Sequence, residues 1–148
     1  MQSESQREAM DILMYYDARP GGMNGMFGDL VCDILKGYYP FYAFNILYKL
    51  GESYKTEDGN EMYAVAAKNG NEAAIIVTRF TDDDDAGDEK CIINVEGLEG
   101  VKDLEVYLLD EEHDLELVRQ ETFTGDKFGQ VLSFSKTSMY LIKLKISK

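Results

Sequence analysis

Residues 138–146, with the sequence SMYLIKLKI, decide the fold class of this chain. Lys143 and Lys145 alternate there with apolar residues, and the apolar set is Tyr140, Ile142, Leu144 and Ile146. Side chains of a β-strand point alternately to opposite faces of the sheet, so this period of two predicts a strand with one face towards a core.

Seven further segments are rich in Val, Ile, Tyr, Phe and Thr, which favour strands. They are residues 53–57, 61–68, 72–80, 90–95, 104–109, 116–123 and 130–135. Turn-forming residues at 58–60, 69–71, 97–100 and 125–129 separate several of them and predict hairpins. Because no helix interrupts the strands, the pattern predicts a mainly β fold: an antiparallel β-sandwich of about eight strands over residues 52–148.

Residues 1–51 follow a different pattern. The nearly continuous apolar run at 11–17 is typical of a strand buried on both faces, and Pro20, Gly21 and Gly22 end it. A structured loop follows, with four apolar anchors: Met23, Met26, Phe27 and Leu30.

A helix is predicted from Phe41 to Leu50, with Pro40 near its first turn and Gly51 past its end. Its predicted apolar face is broad: Phe41, Phe44, Ile46, Leu47, Tyr48 and Leu50. A lone strand and helix cannot build a parallel sheet, so this strand–loop–helix segment is predicted to be the closing unit of something larger.

The charge balance excludes two classes of partner. The chain has 148 residues, with 15 Lys and Arg against 28 Asp and Glu, and a net charge of −13. Such an acidic surface repels phosphate backbones and anionic lipids, so nucleic acid and membrane are not expected as partners. No signal-peptide pattern occurs, which predicts a soluble chain of unknown compartment. Cys32 and Cys91 are predicted to be buried free thiols, with a disulfide between them left open.

Several stretches resemble the end of the catalytic (β/α)8 barrel in glycoside hydrolases akin to the family 39 β-xylosidases. They are residues 12–20 (ILMYYDARP), 23–28 (MNGMFG), 36–44 (KGYYPFYAF) and 47–51 (LYKLG). The resemblance implies that residues 1–51 are the remnant of the last strand and helix of such a barrel. It also implies that the catalytic acid/base and nucleophile lie on earlier strands, so neither would lie in this chain.

Residues at the carboxyl ends of barrel strands face the active site. The resemblance therefore predicts a substrate-binding cleft rim, and its candidate residues are Tyr16, Asp17, Arg19, Asn24 and Phe27. The alternative is structural: Asp17 caps the turn through its side chain and pairs with Arg19.

Two other polar features favour structural interpretations. Residues 81–89 (TDDDDAGDE) lack the spacing of an EF-hand, since Ala86 and Ile93 occupy ligand positions, and they predict a solvated hairpin tip. His113 lies in a polar turn among acids, which predicts a surface imidazole with a raised pKa. We predict no metal site and no cofactor.

The predicted function is a noncatalytic C-terminal accessory domain of a glycoside hydrolase, which packs on and supports a catalytic barrel. Its expected contact is the helix face from Phe41 to Leu50, which would otherwise cause self-association. The alternative is a stand-alone carbohydrate-binding module, in which surface tyrosines, from the ten in the chain, and the acidic loop at 81–89 engage a glycan directly.

Overall fold

A computed structural model describes Pro20 and residues 25–59, 61–97 and 100–147. One helix, α1, precedes eight strands within these ranges. The elements are α1 (Tyr38–Leu50), β1 (Glu52–Tyr54), β2 (Met62–Asn69), β3 (Glu72–Phe80), β4 (Glu89–Glu96), β5 (Val101–Leu109), β6 (Asp114–Thr124), β7 (Lys127–Phe134) and β8 (Thr137–Ser147). The predicted mainly β fold, with eight strands after a loop and a helix, is confirmed.

The strands form two antiparallel sheets of unequal size. The large sheet has the order β1-β2-β3-β8-β5-β6, and the small sheet consists of β4 and β7. The last strand, β8, lies in the middle of the large sheet, between β3 and β5. Both faces of β8 are therefore covered, with Leu141 and Ile142 pointing in opposite directions and both buried.

Each face of the large sheet has its own core. The small sheet covers one face, where Val77, Val106 and Ile142 pack with Phe134 of β7. Helix α1 covers the other face, where its buried residues Ala43 and Leu47 meet a second set that comprises Val65, Ala67, Ala74, Ile76, Leu109, Met139 and Leu141. Alanines at 67 and 74 let the helix approach the sheet closely.

The helix differs from its prediction at its start, in one residue of its face and in what that face contacts. The predicted contact of the Phe41–Leu50 face with a barrel or a second copy is wrong for the residues that pack on the chain's own large sheet: Phe44, Ile46, Leu47 and Leu50. It begins at Tyr38, so Pro40 lies in the first turn, where its missing N–H has no helical partner to lose. Gly51 ends it with φ +90°. Tyr48 is 77% exposed, because one residue beyond the buried Leu47 is a rotation of about 100° around the axis.

Two of the four predicted turns connect different sheets instead of closing hairpins. Residues 69–71 do close a hairpin between β2 and β3, with Gly70 at φ +57°. Residues 97–100 link β4 to β5 and residues 125–126 link β6 to β7, so both cross from one sheet to the other. The acidic segment 81–89 also crosses, from β3 to β4, and is not a hairpin tip; its residues Asp82 to Asp85 are exposed.

The prediction that both cysteines are buried is wrong. Cys32 is exposed in the loop before α1, and Cys91 is half-buried on β4; both are free thiols. Burial and the nearby Glu89 carboxylate raise the pKa of Cys91.

Arg79 is a charged residue inside the fold, only 5% exposed at the end of β3. Its Nη1 donates to the carbonyl oxygens of Gly87 at 2.7 Å and Phe134 at 3.2 Å. Its Nη2 lies 3.4 Å from Glu61, and its Nε lies 3.5 Å from Glu89 without a hydrogen bond. One guanidinium therefore joins the large sheet, the acidic connection and the end of β7.

The β5–β6 turn is closed by Asp110, whose Oδ1 accepts the backbone N–H groups of Glu112 at 2.9 Å and His113 at 2.8 Å. His113 Nδ1 lies 2.8 Å from the same oxygen. That hydrogen bond raises the pKa of His113, with Glu116 and Glu112 acting in the same direction, as predicted. Burial raises the pKa of Asp110, but the hydrogen bonds from His113 and Glu112 outweigh burial. The pKa of Asp110 is therefore lowered overall.

We predict that Arg79→Met lowers the free energy of unfolding by about 2 kcal/mol, because buried carbonyl oxygens lose their donor. Urea denaturation measures the change. Arg119→Met is the matched control, since Arg119 pairs with Glu121 at 2.7 Å on the exposed surface and should cost less than about 1 kcal/mol. Equal losses in the two variants would contradict the assigned role of Arg79.

We predict that His113→Gln destabilises the protein in acid more than in base. A raised folded-state pKa contributes stability below the unfolded pKa of about 6.5, and this is lost as pH rises through the folded value. Urea midpoints of both proteins at pH 5.5 and 8.5 provide the measurement. His113 is the only histidine, so a difference that does not change with pH would refute its pairing with Asp110.

Candidate interaction surface

A short hairpin precedes α1. Phe27 and Ile34 form an antiparallel bridge, Gly28 N donates to Asp33 O at 2.8 Å, and Leu35 N donates to Met26 O at 3.0 Å. A Cβ at position 28 would collide with the Asp33 carboxylate, so a side chain there would displace that carboxylate. Cys32 turns the chain with φ +54°, an uncommon value for a residue with a side chain.

The tip of this hairpin is apolar and faces solvent. Leu30 is 95% exposed and Val31 is 80% exposed. Ile34 and Leu35 are also exposed, and so are Tyr42 and Tyr48 on α1. We call these six residues the hairpin–helix surface. The loop was predicted to be held by apolar residues that include Met26 and Leu30. Met26 is buried as this requires, but Leu30 points into solvent.

Aromatic rings connect the hairpin to the helix. Phe27 lies 5.7 Å from Tyr38 between ring centroids, and Tyr38 stacks on Tyr42 at 6.1 Å. Tyr39 meets Tyr38 edge-on at 6.0 Å and packs against the core under the helix. These contacts fix the position of the hairpin relative to α1.

Of the predicted cleft-rim residues, only Phe27 lies in the described part of the chain. It is half-buried and packs on Tyr38. The other four, Tyr16, Asp17, Arg19 and Asn24, lie outside the described residues, so the cleft rim stays a prediction.

A lysine ties the hairpin to the large sheet. Lys36 Nζ lies 2.7 Å from Asp114 Oδ1 and donates to the carbonyl oxygen of His113 at 3.2 Å. Both partners belong to the end of the β5–β6 turn and the start of β6. The ion pair is half-exposed, so its contribution to stability is small, roughly 0–1 kcal/mol, but it orients the segment that leads into α1.

A polar cluster lies on the same face of the large sheet as the helix. Tyr107 donates from its hydroxyl to Glu105 Oε2 at 2.8 Å, Lys143 Nζ lies 3.3 Å from the same oxygen, and the lysine is 5.1 Å from the Tyr107 ring centroid. The hydrogen bonds from Tyr107 and Lys143 lower the pKa of Glu105, against burial. Burial and Glu105 raise the pKa of Tyr107. Burial lowers the pKa of Lys143, but Glu105 and Tyr107 together outweigh it, so the pKa of Lys143 is raised. The carboxylate and the ammonium group therefore stay charged at neutral pH.

The arrangement is suited to binding an apolar partner. The hairpin–helix surface offers exposed aliphatic and aromatic side chains on two elements that pack together through Phe27 and Tyr38. An ionised cluster lies on the same face of the sheet as α1. Within the described ranges, no group of three His, Cys, Asp or Glu side chains is placed to hold a metal ion. The described helix is too short and too polar to cross a membrane.

Sequence reasoning identified the loop but not its exposed tip. The pattern that predicts the exposed tip is residues 28–33 (GDLVCD), where Leu30 and Val31 lie between turn-forming residues. Apolar residues in the middle of a tight turn cannot reach the core of the same hairpin, and this places Leu30 and Val31 outside.

No protein-family model and no curated protein matches the sequence. Solved structures of glycoside hydrolases do match the fold. A glucosidase from Croceicoccus marinus superimposes with a TM-score of 0.69 at 13% identity, over 84% of this chain and 34% of the enzyme. The GH39 enzyme from Xanthomonas axonopodis pv. citri gives a TM-score of 0.71 at 10% identity, over 83% of this chain and 32% of the enzyme.

A monomeric beta-xylosidase from Caulobacter crescentus CB15 gives a TM-score of 0.68 at 12% identity, over 84% of this chain and 33% of the enzyme. Identities this low establish a shared fold and nothing about activity. The chain spans about a third of the length of these three enzymes. Its resemblance to the family 39 glycoside hydrolases is thus confirmed at the level of the fold, which is the fold of one part of such enzymes.

Proposed function

We propose that this chain is a noncatalytic accessory domain of a glycoside hydrolase, and that it packs on and supports a catalytic barrel through the hairpin–helix surface. The observation that carries the proposal is the exposure of Leu30 and Val31, 95% and 80%, on an ordered hairpin. Soluble proteins seldom expose contiguous apolar side chains in this way unless a partner covers them. The partial coverage of glycosidase structures supports a barrel as that partner.

The geometry of the surface suits a permanent contact. The hairpin is held by backbone hydrogen bonds, by the ring contacts of Phe27 and by the Lys36 ion pair, so docking costs little conformational entropy. A partner would bury the aliphatic side chains at the centre of this surface and form polar contacts around them, as in other protein–protein interfaces.

Under this proposal, residues 1–51 are the remnant of the last strand and helix of the barrel, and residues 52–148 are the sandwich. The cleft rim of Tyr16, Asp17, Arg19, Asn24 and Phe27 would then face the sugar in the parent enzyme.

We predict that the hairpin–helix surface drives self-association of the isolated chain. Leu30→Asp combined with Val31→Asp should raise the apparent dissociation constant by about tenfold or more, because burying one aliphatic side chain is worth about 1.5–3 kcal/mol. Sedimentation velocity over a concentration series measures this. Val131→Asp is the matched control, since Val131 is also exposed but lies on the small sheet.

A wild-type chain that stays monomeric at the highest attainable concentration would contradict the proposal. So would a Val131→Asp variant that weakens association as much as the hairpin variant. Each replaced side chain is exposed, so these variants are expected to fold like the wild type, which circular dichroism can check.

We also predict that the isolated chain does not hydrolyse aryl β-xylosides or aryl β-glucosides. Retaining glycosidases need two carboxyl groups about 5–5.5 Å apart across a sugar-binding cleft, and we assign that pair to strands of a barrel that precede the segment this chain resembles. Release of the aryl group above the uncatalysed rate, abolished by a single Asp or Glu substitution, would show that the chain is itself an enzyme.

The exposed tyrosines support the alternative, a stand-alone carbohydrate-binding module. Tyr48 is the most exposed of them, and a pyranose face can stack on such a ring. Affinity electrophoresis in soluble xylan and glucan separates the two functions. An accessory domain migrates unretarded, whereas a binding module is retarded by one glycan and released by Tyr48→Ala.

A further inference from the structure

A cleft of about 700 Å³ separates the two sheets on the side of β1 and β2. Its floor is the face of the large sheet that carries Ala64, Ala66 and Ala73, and Tyr54 stands at its margin, opposite Ala66 in the strand register. Alanines make up part of the floor, and the rest is lined by larger apolar residues: Met62, Ile75, Val77 and Leu144. No residue of β7 extends over it. Among the described residues, the sandwich is therefore open at this end.

The cleft runs along the edge of β4. All six residues from 91 to 96 border it, and no residue of β7 does. Alternate residues of a strand face one side of its sheet, so six consecutive lining residues mean that the backbone edge, not only a face, borders the space. Within the described ranges β4 pairs with β7 alone, which leaves its other edge without a strand partner.

The dimensions of the cleft match a strand. A rise of about 3.4 Å per residue, a strand spacing of about 4.8 Å and a sheet separation of about 10 Å give each residue roughly 160 Å³ in a sandwich. A volume of about 700 Å³ thus accommodates roughly four residues of an added strand. Such a strand is shorter than β4, which has eight residues, so all of its residues in the cleft can pair with the edge of β4.

We propose that the free edge of β4 binds an extended peptide strand from another polypeptide, which becomes the third strand of the small sheet. Its inward side chains must be small and apolar to lie on the alanine floor, and its backbone pairs with β4. Basic flanking residues fit the net charge of −13 of the whole chain. The cleft itself is lined by both signs, with Lys55 and Lys68 beside Glu57, Asp58 and Glu96. This site lies apart from the hairpin–helix surface and goes beyond the proposed function.

The test uses the complete chain and the probe peptide acetyl-KTATVTAK-amide, whose alternation and lysines follow these requirements. Cys91 borders the cleft, and the exposed Cys32 serves as an internal control. We expect saturating peptide to slow alkylation of Cys91 by iodoacetamide about fivefold or more and to leave Cys32 unchanged, because an added strand covers the β4 edge. Hydrogen exchange should show new protection of the β4 amides.

Substitutions in the cleft and in the peptide test whether the peptide binds in the cleft by backbone pairing. Ala66→Phe fills the floor and should weaken peptide binding by about tenfold or more, with Ala66→Val as a smaller obstruction if the first variant unfolds. Val131→Ala, on the small sheet outside the cleft, should bind like the wild type. Replacing the central valine of the peptide by proline removes a backbone donor and should abolish binding.

Three outcomes would overturn the proposal. The first is an unchanged alkylation rate of Cys91 at millimolar peptide. The second is equal binding of the proline peptide, which would exclude backbone pairing. The third is unaltered affinity in both Ala66 variants, which would place the peptide elsewhere. None of these results depends on self-association through the hairpin–helix surface, so the two proposals fail independently.

Discussion

The structure depends on one constraint: β8 lies in the middle of the large sheet and must be covered on both faces. Leu141 and Ile142 are adjacent in sequence and buried in opposite directions. No single layer can cover both, so the small sheet packs on one face and α1 on the other. The residues that precede the strands are consequently part of the fold, because α1 supplies the second layer.

Neither covering layer is as wide as the sheet it covers. One helix contacts mainly β2 and β3 of the six strands, and two strands cover the opposite face. This mismatch leaves the polar cluster of Glu105, Tyr107 and Lys143 beside the helix and the alanine floor beside β4. The proposed strand-binding site follows from this mismatch, because the two-stranded small sheet leaves one edge of β4 and the floor beside it uncovered.

Most of the fold could be predicted from the sequence, because strand periodicity is a local property. The alternation at 138–146 identified β8, and the range of β3 was predicted without error. The assignment of strands to sheets could not be predicted, since a turn such as residues 81–89 has the same composition whether it closes a hairpin or crosses between sheets. Arg79 illustrates the same limit: its role depends on the carbonyl groups of Gly87 and Phe134, which only tertiary contacts bring to it.

The central claim is that the hairpin tip is a contact surface without its natural partner. The alkylation rate of Cys32, compared between dilute chain and chain at concentrations where it associates, tests this most directly, because Cys32 lies next to Val31. The account predicts that association slows the reaction of Cys32 several-fold while Cys91 reacts at its usual rate. A Cys32 that reacts equally fast in the associated state would show that the tip is not the contact surface.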